Sequence, residues 1–247
     1  MEHKNIRAIV VKEAKFKEKD KMYTLVTDCM GKISVSARGI SSVTSKLSGG
    51  IGQNCVSEID IKDGVNGVYV LTGAKKVLSF DKLTADLEGL SYANHILSLA
   101  SDLFLPEEPF PALFRLVVNT LFLISEKKKD YELLKSIFEF RALGISGYAL
   151  DLSGCGYCGK SEVTHLDVNE GVALCLSCGK EHKAKPVSAH IVMALMHIMY
   201  CDDKNIFSFK LGDALIKEMG KISDDYVKSC MEKEYPSLAY LRKIQQS

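Results

Sequence analysis

Four cysteines in the second half of the chain have the residue type and spacing of a metal site. Two C-x-x-C pairs, Cys155/Cys158 and Cys175/Cys178, are separated by 16 residues. A C-x-x-C turn points two sulfurs at one ion, and two such turns complete a tetrahedron of thiolates around zinc. The spacing therefore predicts one structural Zn²⁺ per chain. An iron–sulfur cluster is the alternative, which the symmetric paired turns disfavour.

No open coordination position is expected at this site, because four thiolates already fill a tetrahedral sphere. A catalytic zinc usually keeps three protein ligands and a water, and a zinc deaminase adds an H-x-E or C-x-E triplet that the sequence lacks here. His165 and His182 could each replace a thiolate, but we interpret them as surface residues. Phosphate-loop and G-x-S-x-G motifs are also absent. We predict that the protein is not an enzyme; the alternative, a metal-dependent hydrolase or deaminase, requires three protein ligands plus water.

The composition predicts a soluble, cytoplasmic protein without a membrane partner. Of the 247 residues, 47% are apolar, which is enough for a core. The longest apolar stretch, LFRLVVNTLFLI, is too short to span a bilayer. Residues 1–80 carry 13 Lys/Arg and 8 Asp/Glu, whereas residues 81–247 carry 19 and 23. The basic N-terminal part suggests a polyanion partner, with an ordinary solvated surface as the alternative.

The elements that must position these groups change character near residue 80. Before it, five short runs rich in β-branched residues and separated by turn residues indicate strands. The clearest run alternates, with Ile33, Val35 and Ala37 on one face and polar side chains on the other. The five runs are IRAIVVK, MYTLVT, KISVSAR, CVSEIDIK and GVYVLTG. They predict a small OB-type barrel over residues 1–80.

Residues 81–247 have helical periodicity and form the second predicted domain. Asp130 and Ser188 are candidate N-caps within it, and the cysteine segment occupies about 151–185. The predicted helices span 82–104, 111–126, 131–145, 187–200, 209–220, 224–233 and 237–245. The predicted fold class is α+β multidomain, with an N-terminal five-stranded OB-type β-barrel followed by an α-helical domain that carries a four-cysteine zinc-binding segment.

Three stretches match one known family, in its order and over most of the chain. EKDKMYTLVTDCMGKISVSARGISSVTSKLSGGIG contains a Gly31-Lys32 turn and a strand that ends at Ala37-Arg38-Gly39. FRALGISGYALDLSGCGYCG has a helix ending in L-x-x-x-G-Y just before the first cysteine turn, and PSLAYLRKI follows near the C-terminus. In these stretches the chain resembles the RecO family of bacterial recombination mediators.

The resemblance implies a fold and a function together. It implies an N-terminal OB-fold, a helical C-terminal domain with a structural zinc, and binding of single- and double-stranded DNA with annealing of complementary strands. It also implies two partners, RecR and the C-terminal tail of single-strand DNA-binding protein, for loading the RecA recombinase in the bacterial cytoplasm at the nucleoid. A zinc-ribbon protein–protein adaptor without nucleic-acid binding is the alternative. The loop at 38–46 favours that alternative because it has fewer basic residues than the family pattern.

Six basic residues in the barrel region are candidates for DNA binding. Two of them share the polar face of one predicted strand, and the others lie on flanking loops. Cations in such positions would contact phosphates, and binding would weaken with salt because counterions are released. Phe16 lies within the lysine run and is the candidate for base stacking. The six residues are Lys15, Lys17, Lys21, Lys32, Arg38 and Lys46.

The predicted helix 131–145 contains a candidate site for the partner tail. An acidic tail with a bulky apolar end requires an apolar pocket beside a cation. Leu134 and Phe138 could form the pocket, with Lys135 and Arg141 as the cations. The alternative is an ordinary core stripe with two solvated charges.

Overall fold

Five strands close into a barrel in the computed structural model, which describes residues 1–237. The strands are β1 (Glu2–Lys15), β2 (Lys21–Thr27), β3 (Lys32–Ala37), β4 (Cys55–Lys62) and β5 (Val68–Ser79). Antiparallel pairing joins β1 to β2, β2 to β3, β4 to β5 and β1 to β4, while β3 and β5 run parallel. The order β1-β2-β3-β5-β4 is that of an OB barrel. The predicted fold class is confirmed.

Alternation of side chains along the strands fills the barrel. On β3, Ile33, Val35 and Ala37 are at most 3% exposed, whereas Ser34 between them faces solvent. Side chains from all five strands meet in the same way, including Leu25 of β2 and Ile59 of β4. Because successive side chains of a strand point to opposite faces, the other face of β3 is left for polar groups.

The turn between β2 and β3 requires glycine for two reasons. Gly31 has φ +64°, and a Cβ there would lie 2.3 Å from the carbonyl oxygen of Glu108 and 2.5 Å from that of Leu105. Gly39 has the same φ of +64°, but a Cβ there would meet nothing within 4 Å. Both glycines therefore have a strained backbone for any other residue, but only at Gly31 would a side chain also clash with the main chain.

Gly31→Ala is expected to destabilise the protein more than Gly39→Ala. The left-handed conformation alone costs an alanine roughly 1–2 kcal/mol, and both variants share this term. Overpacking against the Leu105–Glu108 backbone adds about 1–3 kcal/mol for Gly31 only. Urea unfolding of the two variants measures the difference, and equal midpoints would contradict the close approach at Gly31.

Two helices follow the barrel within the same compact unit, which comprises Met1–Glu126 and Ser237 among the described residues. A short 3₁₀ helix, Asp81–Ala85, precedes α1 (Leu87–Leu103), and α2 is Pro111–Ser125. The helix predicted to begin at residue 82 starts at Leu87, because the Asp86 carboxylate accepts a hydrogen bond from the Gly89 amide and caps it. No helix within residues 1–237 is long and apolar enough to cross a membrane.

The second compact unit, Lys127–Pro236, packs three long helices. In chain order its helices are α3 (Tyr131–Ile145), the short α4 (Leu176–Glu181), α5 (Ala189–Tyr200) and α6 (Asp213–Met231). Asp130 and Ser188 cap α3 and α5 through hydrogen bonds from the Leu133 and Ile191 amides, as predicted. The last predicted helix, 237–245, lies outside the described residues apart from Ser237.

The prediction of separate helices at 209–220 and 224–233 is wrong, because α6 runs through both. Ser223, just before the second predicted helix, is hydrogen-bonded through its hydroxyl to the Gly220 carbonyl and the Ser136 hydroxyl of α3. Asp224, the first residue of that predicted helix, accepts a hydrogen bond from Lys135 of α3. Packing against α3 thus uses the side chains that would otherwise have begun a new helix.

Candidate metal centre and nucleic-acid interface

The four cysteines converge within the second unit. Their sulfurs all lie within 4.8 Å of one another. Each C-x-x-C is a tight turn: the Gly159 amide donates to the Cys155 carbonyl, and the Gly179 amide donates to the Cys175 carbonyl, both at 2.8 Å. The second turn continues into α4. The four sulfurs belong to Cys155, Cys158, Cys175 and Cys178.

The spacing of the sulfurs suits a tetrahedral thiolate site. Sγ of Cys158 lies 3.7 Å from Sγ of Cys175. A tetrahedral zinc with Zn–S bonds of about 2.3 Å places its sulfurs about 3.8 Å apart. A disulfide would require about 2.05 Å, and all four cysteines are free. The cluster could therefore hold one metal ion.

Backbone amides favour negative charge on part of this cluster. A hydrogen bond from the Cys175 amide lowers the pKa of the Cys155 thiol to about 6, although burial opposes the shift. The amide of Cys178 similarly lowers the pKa of Cys175. Burial and the neighbouring sulfurs instead raise the pKa of Cys178 to about 12. A bound cation would offset this crowding of like charges and hold all four sulfurs as thiolates.

A small sheet and two histidines support the turns. The sheet has the order β7-β6-β8, with β6 at His165–Asp167, β7 at Val172–Leu174 and β8 at Lys185–Pro186. His165 is only 8% exposed and packs on Gly179, where a Cβ would lie 2.3 Å from the ring, so its interpretation as a surface residue is wrong. His182 is exposed and stacks on Tyr157, with ring centroids 4.0 Å apart. Among the described residues, neither histidine belongs to the group that could hold a metal.

Four of the six candidate DNA-binding residues are exposed on the barrel. The β1–β2 hairpin tip contacts the loop that follows β3: the Ser41 amide donates to the Lys19 carbonyl, and the Gly39 amide donates to the Asp20 carboxylate at 2.7 Å. Phe16, at the tip, is 61% exposed. Within residues 1–237, none of the four cations has an ion-pair partner. They are Lys15 and Lys17 on the hairpin, and Arg38 and Lys46 after β3.

The other two candidates are engaged in internal contacts. Nζ of Lys21 lies 2.6 Å from Oε1 of Glu13 on the neighbouring strand. Nζ of Lys32 donates to the Ser101 carbonyl in the last turn of α1, also at 2.6 Å. A cation at a helix C-terminus stabilises it through the helix dipole. Lys32 therefore fastens α1 to the barrel, which the alternation of β3 alone could not indicate.

The predicted tail pocket lies inside the second unit. Leu134 and Phe138 are fully buried at 0% exposure, and Lys135 is 1% exposed. Arg141 donates to the carbonyls that end α5, those of Ile198 and Met199, at 3.1 and 2.7 Å. Leu134, Lys135 and Phe138 therefore belong to the α3 core and offer no open surface to a tail. Arg141 keeps 14% exposure and lines a cleft with Cys201–Lys204.

Lys135 is surrounded by carboxylates rather than solvent. Its Nζ lies 2.6 Å from Oε1 of Glu132, 2.6 Å from Oδ1 of Asp224 and 3.7 Å from Oε2 of Glu139. Burial alone would lower the pKa of this ammonium, but the charges of Glu139, Glu132 and Asp224 outweigh burial and raise it. Lys135 is therefore a charged structural group that joins α3 to α6.

Comparison with known proteins gives two family matches that together span nearly the whole chain. Residues 1–80 match the family described as Recombination protein O N terminal, and residues 84–239 match Recombination protein O C terminal. The chain belongs to the RecO family. It is 30% identical to the DNA repair protein RecO of Acetivibrio thermocellus over 247 residues, which is 99% of this chain and 98% of the relative. It is 28% identical to that of Dehalococcoides mccartyi (strain 195) over 95% of this chain and 93% of the relative, and 27% identical to that of Clostridium perfringens over 96% and 97%.

Membership of the RecO family accounts for the order of barrel, helices and cysteine segment. An exposed surface beside the cysteines is a separate feature. Tyr157 and His182, with the neighbouring Lys183, form an exposed aromatic and basic surface that sequence reasoning missed. Two signals were available: an aromatic residue inside the first C-x-x-C, and the run GKEHKAK directly after the second.

Proposed function

We propose that this chain is a non-enzymatic recombination mediator of the RecO type. It binds single- and double-stranded DNA, anneals complementary strands and, together with RecR, helps to load RecA onto strands coated by single-strand DNA-binding protein. It does so in the bacterial cytoplasm at the nucleoid. Support comes from family matches over nearly the whole chain and from relatives that are named DNA repair protein RecO.

The observation that carries the DNA-binding part is the set of unpaired cations on the barrel. Lys15, Lys17, Arg38 and Lys46 are exposed, and within residues 1–237 no carboxylate neutralises them. Cations of this kind bind phosphates without sequence preference. Phe16 adds an exposed ring beside Lys17, on which a base can stack. Lys21 and Lys32 play a smaller part in this proposal, since both already have partners.

The metal in this proposal is a structural zinc, one per chain, held by Cys155, Cys158, Cys175 and Cys178. The four-sulfur donor set and the 3.7 Å separation of two sulfurs support zinc over oxygen-preferring ions. Zinc would supply cross-linking of the two turns and no reaction, since its four positions are filled.

The proposal assigns DNA binding to a barrel domain, residues 1–80, and the remaining contacts to a helical domain, residues 81–247, with its zinc insertion at about 151–185. Binding of the partner tail has to use surface other than Leu134 and Phe138, because both are fully buried.

Charge reversal of Lys17 and Arg38 is expected to weaken DNA binding. Loss of two phosphate contacts should raise the Kd for a labelled single-stranded oligonucleotide by about tenfold or more at low salt, and reduce the slope of log K against log salt by about two. Fluorescence anisotropy of Lys17→Glu/Arg38→Glu at several salt concentrations measures both.

Two controls sharpen this test. Lys204→Glu/Lys210→Glu makes the same charge change on exposed residues of the second unit and should leave the slope unchanged. Lys32→Gln should raise the Kd much less than the double variant does but lower the melting temperature, since it loses the hydrogen bond from Nζ to the Ser101 carbonyl. Wild-type protein that fails to bind DNA at low salt would refute the proposed function, whereas binding unaffected by the double variant would move the site off the hairpin.

A further inference from the structure

A polar cleft lies beside the metal centre, within the second unit. Its volume is about 480 Å³, which falls in the range of roughly 300–1,000 Å³ that small-molecule sites occupy. One wall is formed by His182–Lys185 and the turn after β6, and the other by Asp225, Lys228 and Ser229 of α6.

An aromatic stack borders this cleft. The rings of Tyr157 and His182 are nearly parallel, with an interplanar angle of 4° and centroids 4.0 Å apart. Tyr157 comes from the first C-x-x-C turn and is 52% exposed, while His182 ends α4 after the second turn and lines the cleft. Each ring covers one face of the other, so an outer face remains for a further planar group. The stack therefore joins the segment of the first C-x-x-C turn to that of the second.

Lysines outnumber carboxylates around the cleft. Lys183 has no ion-pair partner among residues 1–237. Lys185 pairs with Asp225, each half exposed, and Lys228 pairs with Glu234, at 66% and 80% exposure. Exposed pairs of this kind contribute little to stability, so a phosphate can replace the carboxylate at low cost. Asp167 is engaged instead, because its carboxylate accepts hydrogen bonds from the Asn169 and Glu170 amides.

We propose that this cleft is a second contact site for single-stranded DNA, with a base stacked on the Tyr157–His182 platform and the adjoining phosphates at Lys183 and Lys228. A planar ring surface beside exposed cations binds unstacked bases without sequence preference, and a duplex keeps its bases inside. The inference rests on the proposed function and extends it from the barrel to the metal-binding segment. The site requires both turns to be held together, which connects the metal centre to DNA handling.

The first test measures binding of a labelled oligothymidine to full-length, metal-loaded protein by anisotropy at low salt. Tyr157→Ala and Lys183→Glu should each raise the Kd by about fivefold, and Tyr157→Phe, which keeps a ring, should bind like the wild type. Lys204→Glu, an exposed lysine elsewhere in the second unit, is the matched charge control and should change little. Metal content and melting temperature are measured for every variant, since Tyr157 lies inside a C-x-x-C turn.

The second test uses the wild-type chain and so does not depend on any variant folding. An oligonucleotide containing iododeoxyuridine is irradiated in the complex, and the cross-linked peptide is identified by mass spectrometry. A cross-link in the peptide that contains Tyr157 or His182 is expected. Cross-links confined to the barrel, together with unchanged binding by Tyr157→Ala and Lys183→Glu, would overturn the cleft site and leave the proposed function standing. No DNA binding by the wild type would overturn both.

Discussion

Replacing Cys175 with serine is expected to release the metal and unfold the segment between about residues 151 and 187. The apolar core around the cysteines is small: it consists of Cys155, Leu174 and Cys175, with Val172, Cys178 and Ala184 packed against them. Leu152, Leu166 and Ala173 are also buried in this segment. Structural zinc sites in small domains contribute apparent binding free energies of about 10–16 kcal/mol near neutral pH, and this energy appears as folding energy. A segment whose core includes its own ligands cannot replace that contribution.

The measurement combines metal analysis with limited proteolysis. Wild-type protein should contain one zinc per chain and resist cleavage between β6 and α5. Cys175→Ser, or chelation of the wild type, should remove the zinc and make this region protease-sensitive while the barrel stays folded. Cys29→Ser, at an exposed cysteine of the barrel, is the matched control and should change neither. Zinc retained at full occupancy by Cys175→Ser would contradict the four-thiolate assignment.

Lys135→Met is expected to destabilise the second unit by about 3–5 kcal/mol, because it removes a buried cation from beside three carboxylates. Glu139 is 0% exposed, and the side chains of Glu132 and Asp224 are 24% and 15% exposed. Methionine preserves most of the volume, so the loss comes from charge rather than from a cavity. Replacing only one member of a buried cluster is the damaging case, since the remaining charges then repel one another.

Chemical denaturation of Lys135→Met and Lys221→Met tests this expectation. Lys221 is an exposed lysine of α6, so the same substitution there should change stability by less than about 0.5 kcal/mol. Adding Glu139→Gln to Lys135→Met should restore part of the loss. A Lys135→Met variant as stable as the wild type would show that the ammonium does not stabilise the three carboxylates, and would contradict this expectation.

The direction of the Lys135 pKa shift also sets a pH window. The folded-state pKa is raised above that of an unfolded lysine, which is about 10.4. The stabilisation by this ammonium is therefore fully present below that value and is lost only as the pH rises through the folded pKa. At neutral pH the contribution of Lys135 to the free energy of unfolding should therefore not change with pH.

Local pattern was enough to predict the elements that carry the site. Alternation over 33–37 placed β3 correctly, and the caps Asp130 and Ser188 marked the starts of α3 and α5. The spacing of Cys155, Cys158, Cys175 and Cys178 predicted a cluster that the structure brings within 4.8 Å. These features depend on residues close in the chain, or on chemistry that few other residues share.

Tertiary structure decided which charged side chains have internal partners. Lys32 lies on a polar strand face, but its Nζ donates a hydrogen bond to the Ser101 carbonyl, 69 residues away. Lys135 donates a hydrogen bond to the Asp224 carboxylate, 89 residues away. Helical periodicity shows that Leu134 and Phe138 share a face, yet only the packing of α3 against α5 and α6 shows that this face is closed. The sequence by itself determined the five barrel strands, the two caps and the cysteine cluster, because local geometry specifies them. Only the tertiary structure decided the partner of each lysine, because a long flexible side chain can bind whichever acceptor the fold brings near it from a distant part of the chain.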